Sequence, residues 1–396
     1  MPMKVLDLEI SEEIKPIWGM EGYDGLLVLA RYHRLPVGQA VITGLRHPVV
    51  SVEQLKAAID KLAGDLMPSV LGRQFSSETA AESPSTPISV VVSADQSSRL
   101  ELCLQALLAQ DYSNHEIIVV DNTPRGDHAP LAGGHPVRYV REGRPGPNRA
   151  RNRGIAEARY DVIAFTTGGA RPDSGWLRAI ACAFTDPQVT AVTGAVAASE
   201  LETAAQVRFE FRYGLRHRLR RRTFRRDGLT DRELLWARDF GSGVNMAFRR
   251  DLFAAMGPFD VALDSDSPGG GSGDIEMLHR LLARGRTLVY EPAALVWHTH
   301  VRDEASLRRL IYNNGRSFGI YLLTCARNRT VSSTSILRFA IRNWLGGWLA
   351  RNLWRPGDFS RRLSAIELAG ALLSPLMYVK ARVHARKVTL SEVRRP

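Results

Sequence analysis

Asp274 follows a glycine-rich loop, Gly269 to Gly273, and opens the segment DIEMLHRLLARG. A carboxylate at that point sits at the positive end of a helix, while the loop before it can move over a ligand. A plain N-cap is compatible with the same placement. Glu276 is the second acid of the segment. Asp121 and Asn122 close the apolar run Glu116 to Val120, where a carboxylate can accept from a nucleobase N–H or a ribose hydroxyl, or can simply cap a turn. Arg149, Arg151, Asn152 and Arg153 open a helix after the turn at Gly146. Cationic side chains joined to free backbone N–H groups suit a diphosphate, with a solvated basic helix face as the alternative. His298 and His300 flank Thr299, so on an extended chain both imidazoles project from one side and can ligate a divalent cation; a surface histidine pair is the alternative.

These residues need a frame, and the sequence supplies one. Short β-branched runs, Ile88 to Val92, Glu116 to Val120, Val162 to Phe165 and Val189 to Val196, alternate with helical segments near Ser98 to Gln110, Asn148 to Ala158 and Ser174 to Phe184. That alternation predicts βαβ units in an α/β, doubly wound, mostly parallel sheet, with ligands at the carboxyl ends of the strands. Residues 1–73 read as a small α+β module, and 74–87 (QFSSETAAESPSTP), with almost nothing to bury, read as a linker. The main domain is expected over 88–326, with C-terminal helices in a basic, partly amphipathic region over 327–396.

Taken in order, VVDN, PGPNRARNRG, RPDSGWL, GSGVNMAFRRD and GGGSGDIEMLHRLLARG resemble an inverting family 2 glycosyltransferase of the GT-A type over roughly residues 86–325. The resemblance implies an enzyme that moves a sugar from a nucleoside diphosphate sugar to an acceptor hydroxyl. It makes Asp274 the general base and Asp121 the nucleotide-contacting acid, with Asp95, Asn122 and the Arg149–Arg153 cluster also on the donor side. It puts Trp176, Gly243, Asn245 and Gly271 on the acceptor side, and one of the histidines in a metal site. The acceptor is unspecified, with a lipid-linked hydroxyl and a small natural product both open.

One departure matters. Where such relatives carry a metal-binding Asp-x-Asp, this chain has Thr167, Gly168 and Gly169, followed by Arg171. A hard cation such as Mn²⁺ or Mg²⁺ wants carboxylate oxygens, which these residues lack. Three readings follow: the arginines neutralise the leaving diphosphate in place of a metal; Asp173 and the histidines recruit one weakly; or the chain is a degenerate, sugar-nucleotide-binding pseudoenzyme or a membrane-surface scaffold.

Charge bears on the partners. The 396 residues carry +12, but residues 301–396 hold 18 basic and 5 acidic side chains, and 208–226 hold nine Arg and one Glu, which leaves the rest of the chain at −9. That distribution excludes a uniformly basic nucleic-acid coat, and nucleic acid is not an expected partner. The Arg run, interleaved with Phe209, Phe211, Tyr213 and Phe224, fits an acidic acceptor or an anionic membrane. The C-terminal stretches around Trp344, Trp348 and Trp354 have the composition of interfacial helices, or of helices packed on the catalytic domain. Glu9, Glu12 and Glu13 near the start, and three scattered cysteines, Cys103, Cys182 and Cys325, point to the cytoplasm, at the inner face of the membrane where the basic regions engage it.

Overall fold

The computed structural model describes residues 2–45, 48–61, 84–94, 99–123, 133–214, 219–354 and 360–393, with side chains to residue 386. Strands β1 (Met3–Glu9), β2 (Gly25–Tyr32) and β3 (Leu35–Thr43) form an N-terminal sheet beside a helix over 52–61. β1 is parallel to β2, and β3 antiparallel to it. The chain then runs through β4 (Ile88–Ala94), α1 (Leu100–Leu108), β5 (His115–Asp121), β6 (Arg138–Arg141), α2 (Pro147–Glu157) and β7 (Val162–Thr167). Every residue of β4 is buried, as a strand with helices on both faces must be. It pairs in parallel with β5 on one side and β7 on the other, and β5 pairs in parallel with β6.

Next come β8 (Ala170–Pro172), α3 (Trp176–Ala183), β9 (Val189–Ala198), α4 (Ala204–Tyr213), β10 (Arg222–Phe224), β11 (Met246–Arg249), α5 (Gly273–Ala283) and β12 (Thr287–His298). The large sheet has the order β10-β12-β9-β11-β7-β4-β5-β6, with β8 on β12. The mostly parallel α/β sheet expected from the sequence is therefore present. β8, β10 and β11 are antiparallel additions of three or four residues, too short to show a period. β11 is the consequential one, because it carries the Gly241–Asn245 turn into the middle of the sheet.

The ends of the chain are packed on this sheet. Met3 bridges Leu201 (N to O, 2.8 Å), and Leu29 shares a core with Ala195, Tyr290, Leu295 and Trp297. Arg31 is buried, donating to Asp7 and to Asp173, each at 2.6 Å. On the other side α6 (Glu304–Asn328) crosses the boundary expected at 326/327. A short helix (Ser333–Arg338), a π-helical stretch (Phe339–Ala350), α7 (Arg361–Leu372) and α8 (Ser374–Val393) follow. Phe318, Tyr321, Phe339, Trp344 and Leu349 belong to the same core as Phe165, Phe248 and Met277 of the sheet and α5. The C-terminal region thus builds on the sheet's core. Most of the expected linker lies outside the described residues.

Arg31 ties the N-terminal sheet to the loop after β8, and its loss would leave Asp173 without its cation. Arg31→Leu is expected to cost about 3 kcal/mol, read as a lower denaturant midpoint. A variant as stable as the parent would show that the two sheets do not depend on this pair.

Candidate active site

Asp274 stands in the first turn of α5, its Oδ1 accepting from the Ile275 amide at 2.9 Å and its Oδ2 from the Gly243 amide at 2.8 Å. The carbonyl of Gly243 accepts from Arg151 Nη2 at 3.1 Å, and Arg151 Nη1 donates to Asn148 Oδ1 at 2.8 Å. Asn148 donates its amide to Asp264 Oδ1 at 2.6 Å and its side chain to the Asp260 carbonyl at 3.0 Å. One network therefore binds the start of α2, the turn before β11 and the loop before α5. The approach is so close that a Cβ on Gly243 would collide with both Arg151 and Asp274, and one on Gly273 with Asn148.

Asp274 borders a cavity of about 490 Å³ whose other walls include Gly271, Glu210, His298, His300 and Trp348. His300 Nε2 lies 2.8 Å from Glu210 Oε2, and its Nδ1 lies 3.5 Å from that of His298. Burial, with help from His300 and Arg99, lowers His298 to about 4, so its imidazole is neutral near pH 7. Across the cavity the guanidinium groups of Arg212 and Arg238 lie 3.7 and 4.0 Å from the Trp348 ring, and the Trp348 indole donates to Glu367 Oε1 at 3.0 Å. Such stacked cations and hydrogen-bonded indoles make a wall suited to a polar ring or a hydroxylated ligand. Sequence reasoning missed Glu210, Arg238 and Glu367. The Arg run and the tryptophans drew attention to this region, but nothing local linked them to Asp274.

Other expected site residues are placed differently. Glu276 faces the interior, 3.2 Å from Arg280 Nε, and burial raises its carboxyl. On a helix it points away from Asp274, so it does not line the cavity. Arg151 is a buried strut, while Asn152 exchanges two hydrogen bonds with the Phe259 backbone and Arg153 pairs with Glu157. Arg151 is spent inside the fold, whereas Arg153 is half-exposed and holds Glu157 through Nη2 alone. Arg149 lies 3.9 Å from Asp264. Trp176 is fully buried, with its indole on Asn245 Oδ1, and Asn245 donates on to Ala195 and Ala294, so both serve the sheet and neither can touch an acceptor. Asp121 ends β5 fully buried, its carboxylate holding Thr123, Tyr139 and Arg141. The buried Asn122 Oδ1 has no hydrogen-bond partner among the described residues. Asp95 lies outside the described residues.

The turn after β7 tests the cation. Gly168 donates to the Ser93 carbonyl at 3.0 Å, Thr167 and Gly169 offer no charged oxygen, and Arg171 is exposed beside the Trp297 ring. Asp173 is committed to Arg31. Among the described residues no group of three or more His, Cys, Asp or Glu side chains is placed to hold a metal ion. This donor set does not fit a hard divalent cation.

Asp264 is the network's titratable member. Burial raises its carboxyl to about 7 against the pull of the Asn148 amide and of Arg151 and Arg149, and among the described residues its Oδ2 has no hydrogen-bond partner. The unfolded chain ionises near the usual value of about 3.9, so between that pH and about 7 the folded state holds the extra proton and stability falls as pH rises. The stability of the parent relative to Asp264→Asn should therefore decline from about pH 4 to about pH 7 in denaturant titrations. A difference that stays flat would show that Asp264 ionises at its ordinary value.

Residues 89–257 match the family model Glycosyl transferase family 2. The chain is 24% identical to glycosyltransferase AglE of Haloferax volcanii over 212 residues, 51% of this chain and 64% of that protein. It is 28% identical to the pre-mycofactocin glycosyltransferase of Mycobacterium tuberculosis over 155 residues, 39% of this chain and 30% of that one. The chain thus spans less than two thirds of the length of these relatives. Among solved structures, the mannosyltransferase PcManGT from Pyrobaculum calidifontis, in complex with GDP-Man and Mn²⁺, superposes with a TM-score of 0.50 at 16% identity, covering 74% of this chain and 89% of that one. Residues 89–257 thus carry the sequence pattern of glycosyl transferase family 2, on a sheet of the type seen in that mannosyltransferase.

Proposed function

We propose that the protein transfers a sugar from a nucleoside diphosphate sugar to an acceptor hydroxyl with inversion, Asp274 acting as general base. The observation that carries this is the placement of Asp274, fixed by two backbone amides and bordering the cavity. The acceptor oxygen attacks the anomeric carbon from the face opposite the diphosphate. Its proton passes to Asp274, and the bond from that carbon to the diphosphate oxygen breaks, its electrons leaving with the diphosphate. Attack from the opposite face inverts the anomeric centre.

The donor lies along the strand ends, with Asn122 as a partner for the nucleoside and Asp121 holding the loop that frames it. The GDP-Man bound by the Pyrobaculum calidifontis mannosyltransferase supports this class of donor. The acceptor enters the cavity between Asp274 and the C-terminal helices, and its chemistry is that of a hydroxyl-bearing lipid-linked or small natural product. Arg149 and Arg171 are the cations assigned to the leaving diphosphate, since the turn at Thr167–Gly169 does not fit a carboxylate-held metal.

Asp274→Asn is expected to lower transfer by a factor of about 10²–10⁴ while leaving donor affinity nearly unchanged, measured as product formation and donor binding side by side. Equal turnover in the variant would remove Asp274 from the chemistry. Binding of a nucleotide sugar by the parent without turnover of any in the panel would make the chain a non-catalytic binder. Donor hydrolysis across a panel of nucleotide sugars should also survive EDTA. Activity that EDTA abolishes and Mn²⁺ restores would show that a cation is held by residues other than the Thr167–Gly169 turn.

A further inference from the structure

We propose that the outward face of the C-terminal helices is a docking surface for an anionic lipid bilayer. The inner face of α8 is committed to the body of the protein: Ala381 is buried, and Arg382 donates to Asp260 Oδ2 at 2.6 Å and to Thr324 at 3.2 Å. Its outer face carries Leu376, Val379 and Val383, all exposed and three or four residues apart, which puts them in one stripe. Leu372, 68% exposed, and Leu373 extend the stripe around the bend into α7, and Lys380 and Arg386 flank it. A second strip begins on the short helix before the π-helical stretch. Leu337 and Ile341 are exposed about one turn apart, each followed by an arginine, Arg338 and Arg342, and Trp354 is 78% exposed beyond Arg351.

Isolated apolar side chains on a surface need no explanation, but repeated ones on one helix face do. What covers them follows from charge. Residues 305–357 contain nine Arg and no Asp or Glu, and residues 368–391 contain no Asp or Glu either. A second copy would bring the same positive charge against itself, and a nucleic acid would leave the leucines and valines unburied. A leaflet of anionic lipid meets both demands, taking the apolar side chains at the acyl boundary and the arginines among the headgroups, and the cytoplasmic leaflet carries such charge. The surface lies on the bilayer. Among the described residues no single helix is long and apolar enough to cross; α7 and α8 have the length and composition to do so only as a pair bent by 54°, and in that pair Glu367 is buried against Trp348 and Arg382 is tied to Asp260, which holds the inner face on the protein.

The test is sedimentation of the full chain with vesicles, which needs neither donor nor acceptor and so is independent of the transferase reading. The protein should pellet with phosphatidylcholine vesicles containing phosphatidylserine and not with phosphatidylcholine alone. Binding should fade as ionic strength rises from ~0.01 M to ~1 M, shrinking the screening length from about 30 Å to about 3 Å. Two variants, Leu376→Asp with Val379→Asp and Arg338→Glu with Arg342→Glu, should each weaken binding about tenfold or more at an unchanged melting temperature. The proposal falls if anionic vesicles pellet nothing, if both variants pellet like the parent, or if Leu376→Asp instead dissolves a dimer that never binds vesicles.

Discussion

The buried guanidinium of Arg151 is the contact on which the site depends. A cation removed from water is tolerable only when its donors are met, and here they are met by Asn148 Oδ1 and the Gly243 carbonyl, with the Phe259 ring 5.4 Å away. Burial pulls its pKa down, and the nearby carboxylates of Asp274 and Asp264 pull it back. Holding the Gly243 carbonyl on one side of a peptide turn fixes the amide of the same residue, which is the donor to Asp274. Hydrogen bonds strung this way polarise one another, so the proposed base is oriented by a charge it does not touch. The lack of a Cβ at Gly243 and Gly273 is part of the same constraint, because the turn and the helix start can close on Arg151 and Asn148 only without one.

That arrangement explains which parts of the site were legible. β4, β5 and β7 announced themselves as unbroken apolar runs, and Asp274 stood out because a glycine-rich loop and a helix start bracket it. Arg151 was visible but its task was not: an arginine that opens a helix to receive a diphosphate and one that opens a helix to brace a carbonyl have the same local sequence. The resemblance alone puts Trp176 and Asn245 on the acceptor side, whereas here the two bond to each other inside the sheet. The far wall of the cavity was out of reach. Glu210 meets His300 across ninety residues, and Trp348 meets Arg212 and Arg238 from beyond the matched domain. Such pairings are set by topology, which no local period records.

Charge behaves in the same way. The run 208–226 is the most basic stretch of the sequence, yet its described residues are spread over a helix, a strand and a turn, and four of its nine arginines meet acids outside it. Arg208 pairs with Glu304, Arg212 with Glu367, Arg221 with Glu291 and Arg226 with Asp231. A run of like charge in a sequence becomes a patch only if the fold leaves it unmatched. Over residues 305–357 the sequence offers nine Arg and no acid to match them, and it is there and on α8 that the fold also leaves large apolar side chains in solvent. The two anomalies coincide on the C-terminal helices, whose π-helical stretch and α7 also wall the cavity beside Asp274. Those helices therefore stand between the cavity and the outside of the molecule: the inward side chains of Trp344, Trp348 and Glu367 wall the cavity, and the outward ones form the proposed lipid contact.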